Sequence, residues 1–359
     1  MMSCCETACP AWVDTAFTAV KILGAIGFGL NTAALLTWVE RKQSAVIQDR
    51  IGANRASIFG FKFLGLFHIL SDAIKMMTKE DFAPPQGLKP WHTLAPIISM
   101  CCALMCLSAL PFGSSVELFG RSWDLTPIPL RFGVLYVLAL LSVGVHGVVM
   151  AGWASGSNYG LLGGLRGAAQ MISYEVAMLA ILGGPLYLYG TLDLAQAAAW
   201  QARTWHGLPM WGVFLQPLAF ILFLTAGAAE TKRAPFDIPE GEAEIVGYFV
   251  EYSGMKFAMF LNTDFLESIV LAGMTTTLFL GGWHLPGLYH LGLPGPLFAL
   301  AGVGVFVAKL IAVLWLLMQI RWTLPRFRFD QLLNLGWKNI LPLALVNLLV
   351  TAWAAHLLS

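Results

Sequence analysis

Four ionisable side chains stand where the sequence has almost nothing else polar. Glu175 follows Ser173 and Tyr174 near the start of one long apolar run. Asp264 and Glu267 lie three residues apart near the start of another, and Lys309 sits halfway along a third. An ionised group inside a bilayer is expensive, and where one is kept it marks a proton or ion path by default. Lys21, close to the end of its run, has a simpler explanation, because a long amine there can snorkel towards the headgroups. Lys309 reaches neither end and is expected to pair with a buried carboxylate.

A second concentration of acids falls between two apolar runs. Residues 230–240, ETKRAPFDIPE, carry Glu230, Asp237 and Glu240, and the stretch goes on to Glu242, Glu244 and Glu251. Crowded carboxylates repel, so some keep their protons to higher pH and can exchange them near neutrality. The same oxygens could ligate a divalent cation, although no metal is assigned to the chain. Two prolines and Phe236 point to a fixed, folded-in loop rather than a solvated acidic one.

Residues 40–93 also mix signs. Glu40, Arg41 and Lys42 are followed by Gln48, Asp49, Arg50 and Arg55, where a plain cytoplasmic loop would be basic. Over 57–79, Phe59, Phe63, Leu66, Phe67, Leu70, Ile74 and Met77 recur at spacings of three and four, interrupted by Lys62, Asp72 and Lys75. This pattern predicts an amphipathic helix lying in the interface. It is either a surface anchor or one wall of a site for a lipid-soluble ligand.

Other chemistry is missing. The sequence has no Gly-rich nucleotide loop and no Walker motif. Cys4, Cys5, Cys9, Cys101, Cys102 and Cys106 match no iron–sulfur spacing and make no disulfide scaffold. His146 is the one histidine deep in an apolar run, and alone it makes no haem site. No redox cofactor is therefore expected to be bound by this chain.

Composition says what must position these groups. Of 359 residues, 58% are hydrophobic and 11% charged, against about 45–50% and about 25% in soluble domains. Water-soluble enzyme folds are excluded. A membrane helix takes about 20 apolar residues, and eight runs qualify: 16–39, 94–112, 131–151, 171–190, 211–229, 261–281, 297–320 and 340–358. Their Leu, Val, Ala and Phe do not alternate with polar residues, so they are helices and not barrel strands. The expected fold is all-α: a polytopic membrane protein of about eight transmembrane helices plus an interfacial amphipathic helix, in a single membrane domain over 1–359. The first run lacks a basic n-region and a clear cleavage site, and is read as a retained span.

Connections 40–93, 152–170, 230–260 and 321–339 hold 16 of the 21 Lys and Arg residues, and the opposite side has Arg121, Arg131 and Arg203. The positive-inside rule places those four connections in the cytoplasm and both termini on the non-cytoplasmic side.

Several stretches follow one another in a fixed order along the chain: Gln48–Arg55, Asp72–Asp81 (DAIKMMTKED), Gly152–Ser157 (GWASGS) with Leu161–Tyr174, Ala229–Glu244, Glu251–Phe257, Leu278–Trp283 and Leu324–Trp337 (LPRFRFDQLLNLGW). Together they resemble the H-type membrane component of proton-translocating NADH:quinone oxidoreductase, respiratory complex I, over nearly the whole chain. The resemblance implies a heel component joining the membrane arm to the peripheral arm in a cell inner, coupling membrane. Quinone is then the substrate, and the chain forms most of its access cavity, although it contributes no catalytic group in the chemical sense. Electrons would arrive from iron–sulfur clusters in peripheral-arm subunits. Further implied partners are small membrane subunits, antiporter-like subunits and membrane lipids, with no nucleic acid.

Carried over by motif, the intramembrane acids of the proton path are Glu175, Glu230 and Asp264, and the loop acids are Glu240, Glu242, Glu244 and Glu251. Lys309 is placed on the same path. The cavity mouth and wall use Arg41, Arg50, Asp72, Lys75, Arg233, Phe236 and Asp237. Asp264 stands where the family more usually has glutamate. Ser142 replaces a third-span acid of some members, which shifts weight onto Glu175 and Glu230.

Three rivals remain in view. The homologous component of a membrane-bound hydrogenase, or of another quinone-reducing complex, would share the fold, and the complete quinone-side motifs weigh against the hydrogenase. A stand-alone cation/proton antiporter would show inverted repeats and paired broken helices, and no repeat is evident in the sequence. A passive scaffold has no need of costly buried carboxylates. The charge bias sets the first test. Cysteines introduced in 230–260 should react with an impermeant thiol reagent only from the cytoplasmic side, and those in 191–210 only from the other. The reverse pattern would remove the quinone-site argument, because that site must face the peripheral arm.

Overall fold

Backbone groups in hydrocarbon must find partners within their own segment, so apolar runs of this length become helices. The computed structural model describes residues 11–57, 60–118, 121–205, 208–239, 244–245, 247–287 and 294–358. Glu240 and Glu242 lie outside the described residues, as do Phe59, Cys4, Cys5 and Cys9.

In chain order the helices begin with α1 (Ala11–Ile47), the short interfacial α2 (Phe67–Thr78), α3 (Lys89–Leu107), α4 (Gly133–Ala154) and α5 (Asn158–Tyr189). Next come α6 (Leu194–Trp200), α7 (Gly212–Leu215), α8 (Pro217–Glu230), α9 (Gly254–Phe279) and α10 (Gly295–Thr323). A final stretch begins with α11 (Phe329–Asn334), passes through a π-helical turn at Leu335–Ile340 and ends as α12 (Leu341–Leu358). Two short antiparallel hairpins, Ser115–Leu118 with Arg121–Asp124 and Thr204–Trp205 with Leu208–Pro209, lie between α3 and α4 and between α6 and α7. Among the described residues, seven helices are long and apolar enough to cross a membrane. The protein is an all-α polytopic membrane protein.

Several helices outrun the apolar runs that announce them. α1 continues through Glu40, Arg41 and Lys42, and α5 begins thirteen residues before its apolar run, which leaves Ser155–Ser157 as the turn after α4. Hydropathy marks where hydrocarbon ends, not where the helix does. Ser157 caps α5 by accepting from the Gly160 amide. The interfacial helix is shorter than its 57–79 pattern. Before it, Leu64 takes a positive φ of 55° within the turn Phe63–Gly65. Its apolar side chains Leu70, Ile74 and Met77 are exposed, as a face meant for lipid should be.

The run 211–229 is built from two pieces. α8 has 14 residues, about 21 Å of helix at about 1.5 Å per residue, short of the roughly 30 Å hydrocarbon core. α7 precedes it, and the break falls at Gln216, whose φ/ψ is −137°/64°. Pro217 explains this, because a proline pushes its predecessor out of the helical region. The Gln216 side chain donates to Thr351 Oγ1 (2.6 Å) and accepts from Asn347 Nδ2 (3.1 Å), which fastens the break to α12.

At the centre stands α9, buried without interruption from Thr263 to Phe279 and packed by α1, α2, α3, α6, α8 and α10. It ends inside the protein, so its last carbonyls need partners from elsewhere. Tyr189 donates to Leu278 O (2.7 Å). Gln201, fully buried, donates to Thr277 O (2.8 Å) and accepts from the amides of Gly212 and Gly281 (3.0 Å each).

Lys309 completes the cap, which corrects the expected carboxylate pairing. Its ammonium donates to the carbonyls of Leu280 (2.6 Å), Gly282 (3.0 Å) and His284 (2.6 Å), and it lies 4.5 Å from the centre of the Trp211 ring. Three donors on a compact cation suit a fan of carbonyls at the negative end of a helix dipole. Next to it, burial and then the Lys309 charge lower the His284 imidazole to a pKa of about 4.

Replacing Gln201 by Leu would leave a carbonyl and two amides buried without partners, at about 1–3 kcal/mol for each group. Thermal denaturation of the purified assembly should show a Tm several degrees lower, and an unchanged Tm would mean that Gln201 is not the clamp described.

Candidate functional site

The C-terminal end of α1 is a post to which two groups are tied. Arg41 meets Asp72 of α2 at 2.6 Å, and Asp72 also meets Lys75 at 3.1 Å. Neighbouring residues on a helix point about 100° apart, so Glu40 faces elsewhere. It pairs with Arg321 at the end of α10 and with Arg233 (3.7 Å) of the acidic loop. The Arg233 guanidinium also covers the Phe265 ring at 3.6 Å from its centre, a cation–π contact that favours a planar cation.

The acidic loop is folded in. Gln170 of α5 donates to Ala229 O (2.6 Å) and Phe236 O (2.7 Å), which fixes both ends of the turn. Phe236 is buried and stacks on Phe327 at 5.4 Å. Asp237 accepts from Arg326 at 2.6 Å. Arg326 and Phe327 both belong to the LPRFRF stretch, so two distant motifs form one surface. Further along, Glu244 pairs with Arg166, whose guanidinium lies over Phe329. The Glu251 carbonyl accepts from His92 Nε2 (3.2 Å), and the His92 ring stacks on Tyr252 at 4.0 Å. Burial pushes the Tyr252 phenol up from its ordinary value.

The enclosed space beside Arg233 measures about 30 Å³ and is lined by Leu36, Thr231, Ser268, Met318 and Arg321 among others. A water's share of liquid volume is about 30 Å³, so this space takes a water and not an aromatic ring.

Deeper, carboxylates converge from three helices. Glu230 ends α8, is 3% exposed, and neither of its oxygens has a hydrogen-bond partner among the described residues. Two residues on, Lys232 turns inward with a φ of 55° and is 1% exposed. Its ammonium lies 3.0 Å from Asp264 Oδ1 and 3.3 Å from Glu267 Oε2. A left-handed conformation at a residue with a Cβ costs on the order of 1–3 kcal/mol and persists only where the surroundings impose it. Burial alone would lower the Lys232 pKa, but the charges of Asp264 and Glu267 outweigh it and hold the amine protonated.

On α5, Glu175 accepts from the Ser142 hydroxyl at 2.7 Å, and its other oxygen has no partner among the described residues. It borders an apolar cavity of about 540 Å³ between α4 and α5, lined also by Trp91, His146, Trp153 and Ile172.

Glu230 lies within electrostatic reach of Glu175 and Glu267, Asp264 and Glu267 share Lys232, and Arg41, Asp72 and Lys75 form one group. Arg50 stands apart, turned back onto Gln48 (2.6 Å). Lys309 stands apart too, because it caps an end of α9 that lies twelve residues past Glu267, about 18 Å along the axis. Lys232, Glu40, Arg321 and Arg326 join the site without having been assigned to it from sequence, and Glu267, noted there only as a costly acid in an apolar run, joins it through Lys232. One signal was available: acids at 264 and 267 share a helix face, and two buried carboxylates call for a cation. Among the described residues, no three His, Cys, Asp or Glu side chains come together as a metal site.

Comparison with known proteins bears on this arrangement. The NADH dehydrogenase family matches residues 20–352. An NADH-quinone oxidoreductase H subunit of Geobacter metallireducens is 44% identical over 345 residues, which cover 96% of this chain and 98% of that protein. The H subunit of Thermomicrobium roseum is 42% identical over 327 residues, covering 90% and 91%. An H subunit of Cytophaga hutchinsonii is 38% identical over 323 residues, covering 90% and 92%.

Proposed function

The chain belongs to the NADH dehydrogenase family, among the H subunits of NADH-quinone oxidoreductase, and we propose that it forms the quinone-access wall of that complex and passes the charge change of quinone reduction to buried carboxylates. The observation that carries this reading is the acidic loop. It runs unbroken from Glu230, within electrostatic reach of Glu267, through Lys232, which meets Asp264, to Phe236 and Asp237, which meet Phe327 and Arg326. A disturbance at one end reaches the other within seven residues of fixed backbone.

Quinone is a lipid-soluble substrate and needs an entry from the bilayer. The exposed apolar face of α2, next to α1 and α9, supplies a surface of that kind. Peripheral-arm subunits would close the chamber above Arg41, Asp72, Arg233 and Asp237 and bring the electrons. Reduced quinone takes up protons, and the negative charge that precedes their uptake repels nearby carboxylates. Glu230 and Glu175 can respond by holding a proton. The proton line then leads through Glu175 towards neighbouring membrane subunits. In this reading the setting is a coupling membrane with the acidic loop on the cytoplasmic side, and Lys309 has no part in the line.

Asp237→Asn keeps the side-chain shape but weakens the bond to Arg326, a charge-assisted contact worth about 1.5–3 kcal/mol. In assembled complex it should lower the quinone reductase rate about tenfold and alter sensitivity to quinone-site inhibitors, while electron transfer to a water-soluble artificial acceptor persists. Unchanged quinone kinetics and inhibitor sensitivity would mean that the loop does not line the quinone route.

A further inference from the structure

Lys232 is the most enclosed cation of the site, and nothing in the quinone reading requires it. The charged and titratable groups that face it come from every element packed around it: Asp264 and Glu267 from α9, Glu230 from the end of α8, and Tyr248 from the turn Tyr248–Glu251. Arg233 beside it points the other way, to Glu40 and Phe265. The ammonium lies against the two α9 acids and gives no hydrogen bond to Glu230. A space of about 20 Å³ bordered by Glu230, Thr231 and Glu267 among otherwise mostly apolar side chains is large enough for one water, which needs about 10–15 Å³.

We propose that Lys232 is a positioning residue for proton coupling: its buried ammonium lies against Asp264 and Glu267 and offsets their charge, and so leaves Glu230, which accepts no hydrogen bond from any described residue, to gain and lose the proton. The backbone supports this, because the positive φ at Lys232 aims the side chain inward while Arg233 reaches the α1 post. One short turn thus separates two cations with different tasks. With both acids ionised, Lys232, Asp264 and Glu267 together carry a single net negative charge. Removing the ammonium would leave two like charges in an apolar setting, and that favours protonation of one of them.

The inference rests on the reading that these carboxylates couple quinone reduction to protons, and the test separates the two. In assembled complex, Lys232→Met should move the acidic limb of the quinone reductase pH–rate profile to higher pH by about one unit or more, the scale of losing an opposite charge at this range. Lys232→Met combined with Glu267→Gln restores the net charge and should return the limb towards its original position. A limb that stays in place in Lys232→Met overturns the proposal, and so does a displaced limb that the second change fails to return. Should Lys232→Met not assemble, the double variant decides: assembly with the original profile supports the proposal, and failure to assemble or a displaced profile overturns it. Glu175→Gln reports on the underlying reading. If it lowers proton translocation while Lys232→Met keeps the original profile, only the role of Lys232 fails. If Glu175→Gln leaves translocation unchanged, the proton line itself fails.

Discussion

Charge in a water-poor interior must be balanced where it stands, and in this protein that demand falls on α9. The helix is buried along most of its length and carries two acids on one face. It also ends inside the protein, where its last carbonyls concentrate negative potential. Two lysines answer these needs from outside the helix: Lys232 at the acids and Lys309 at the carbonyls. An isolated ion of either sign could not be kept here without several kcal/mol of desolvation penalty, by order of magnitude. Together the lysines let a polar helix serve as the central pillar of an apolar bundle.

The acidic loop joins that interior to the Arg326–Phe327 stretch. Lys232, Arg233, Phe236 and Asp237 each meet a different partner, in chain order: the buried acids of α9, then Glu40, then Phe327, then Arg326. Gln170 clamps the segment at Ala229 and Phe236. In the proposed coupling no long chain of contacts is needed, because covalent adjacency would link Asp237 to Glu230.

The eight apolar runs are legible because hydrocarbon imposes one rule on every segment, and Glu175, Asp264 and Glu267 stand out because a costly acid is conspicuous in such a run. Helix ends are less so: α1 and α5 run on through polar residues once they leave hydrocarbon. The break at Gln216 is written in the following proline, but the apolar stretch around it masks the signal. Lys309 shows a deeper limit. Its partners are backbone carbonyls, which every residue possesses, so residue types could not reveal them. The role of Lys232 depends on a left-handed turn and on a helix twenty residues further along, and it becomes visible only once the chain has folded.

The central claim is that Glu230 changes its proton occupancy as quinone is reduced. Proton translocation per quinone reduced, measured in vesicles containing assembled Glu230→Gln complex, tests it most directly. The expected result is a clear fall in translocation and in the coupled quinone reductase rate, with subunit content and artificial-acceptor activity near normal. Unchanged translocation at normal assembly would contradict the claim.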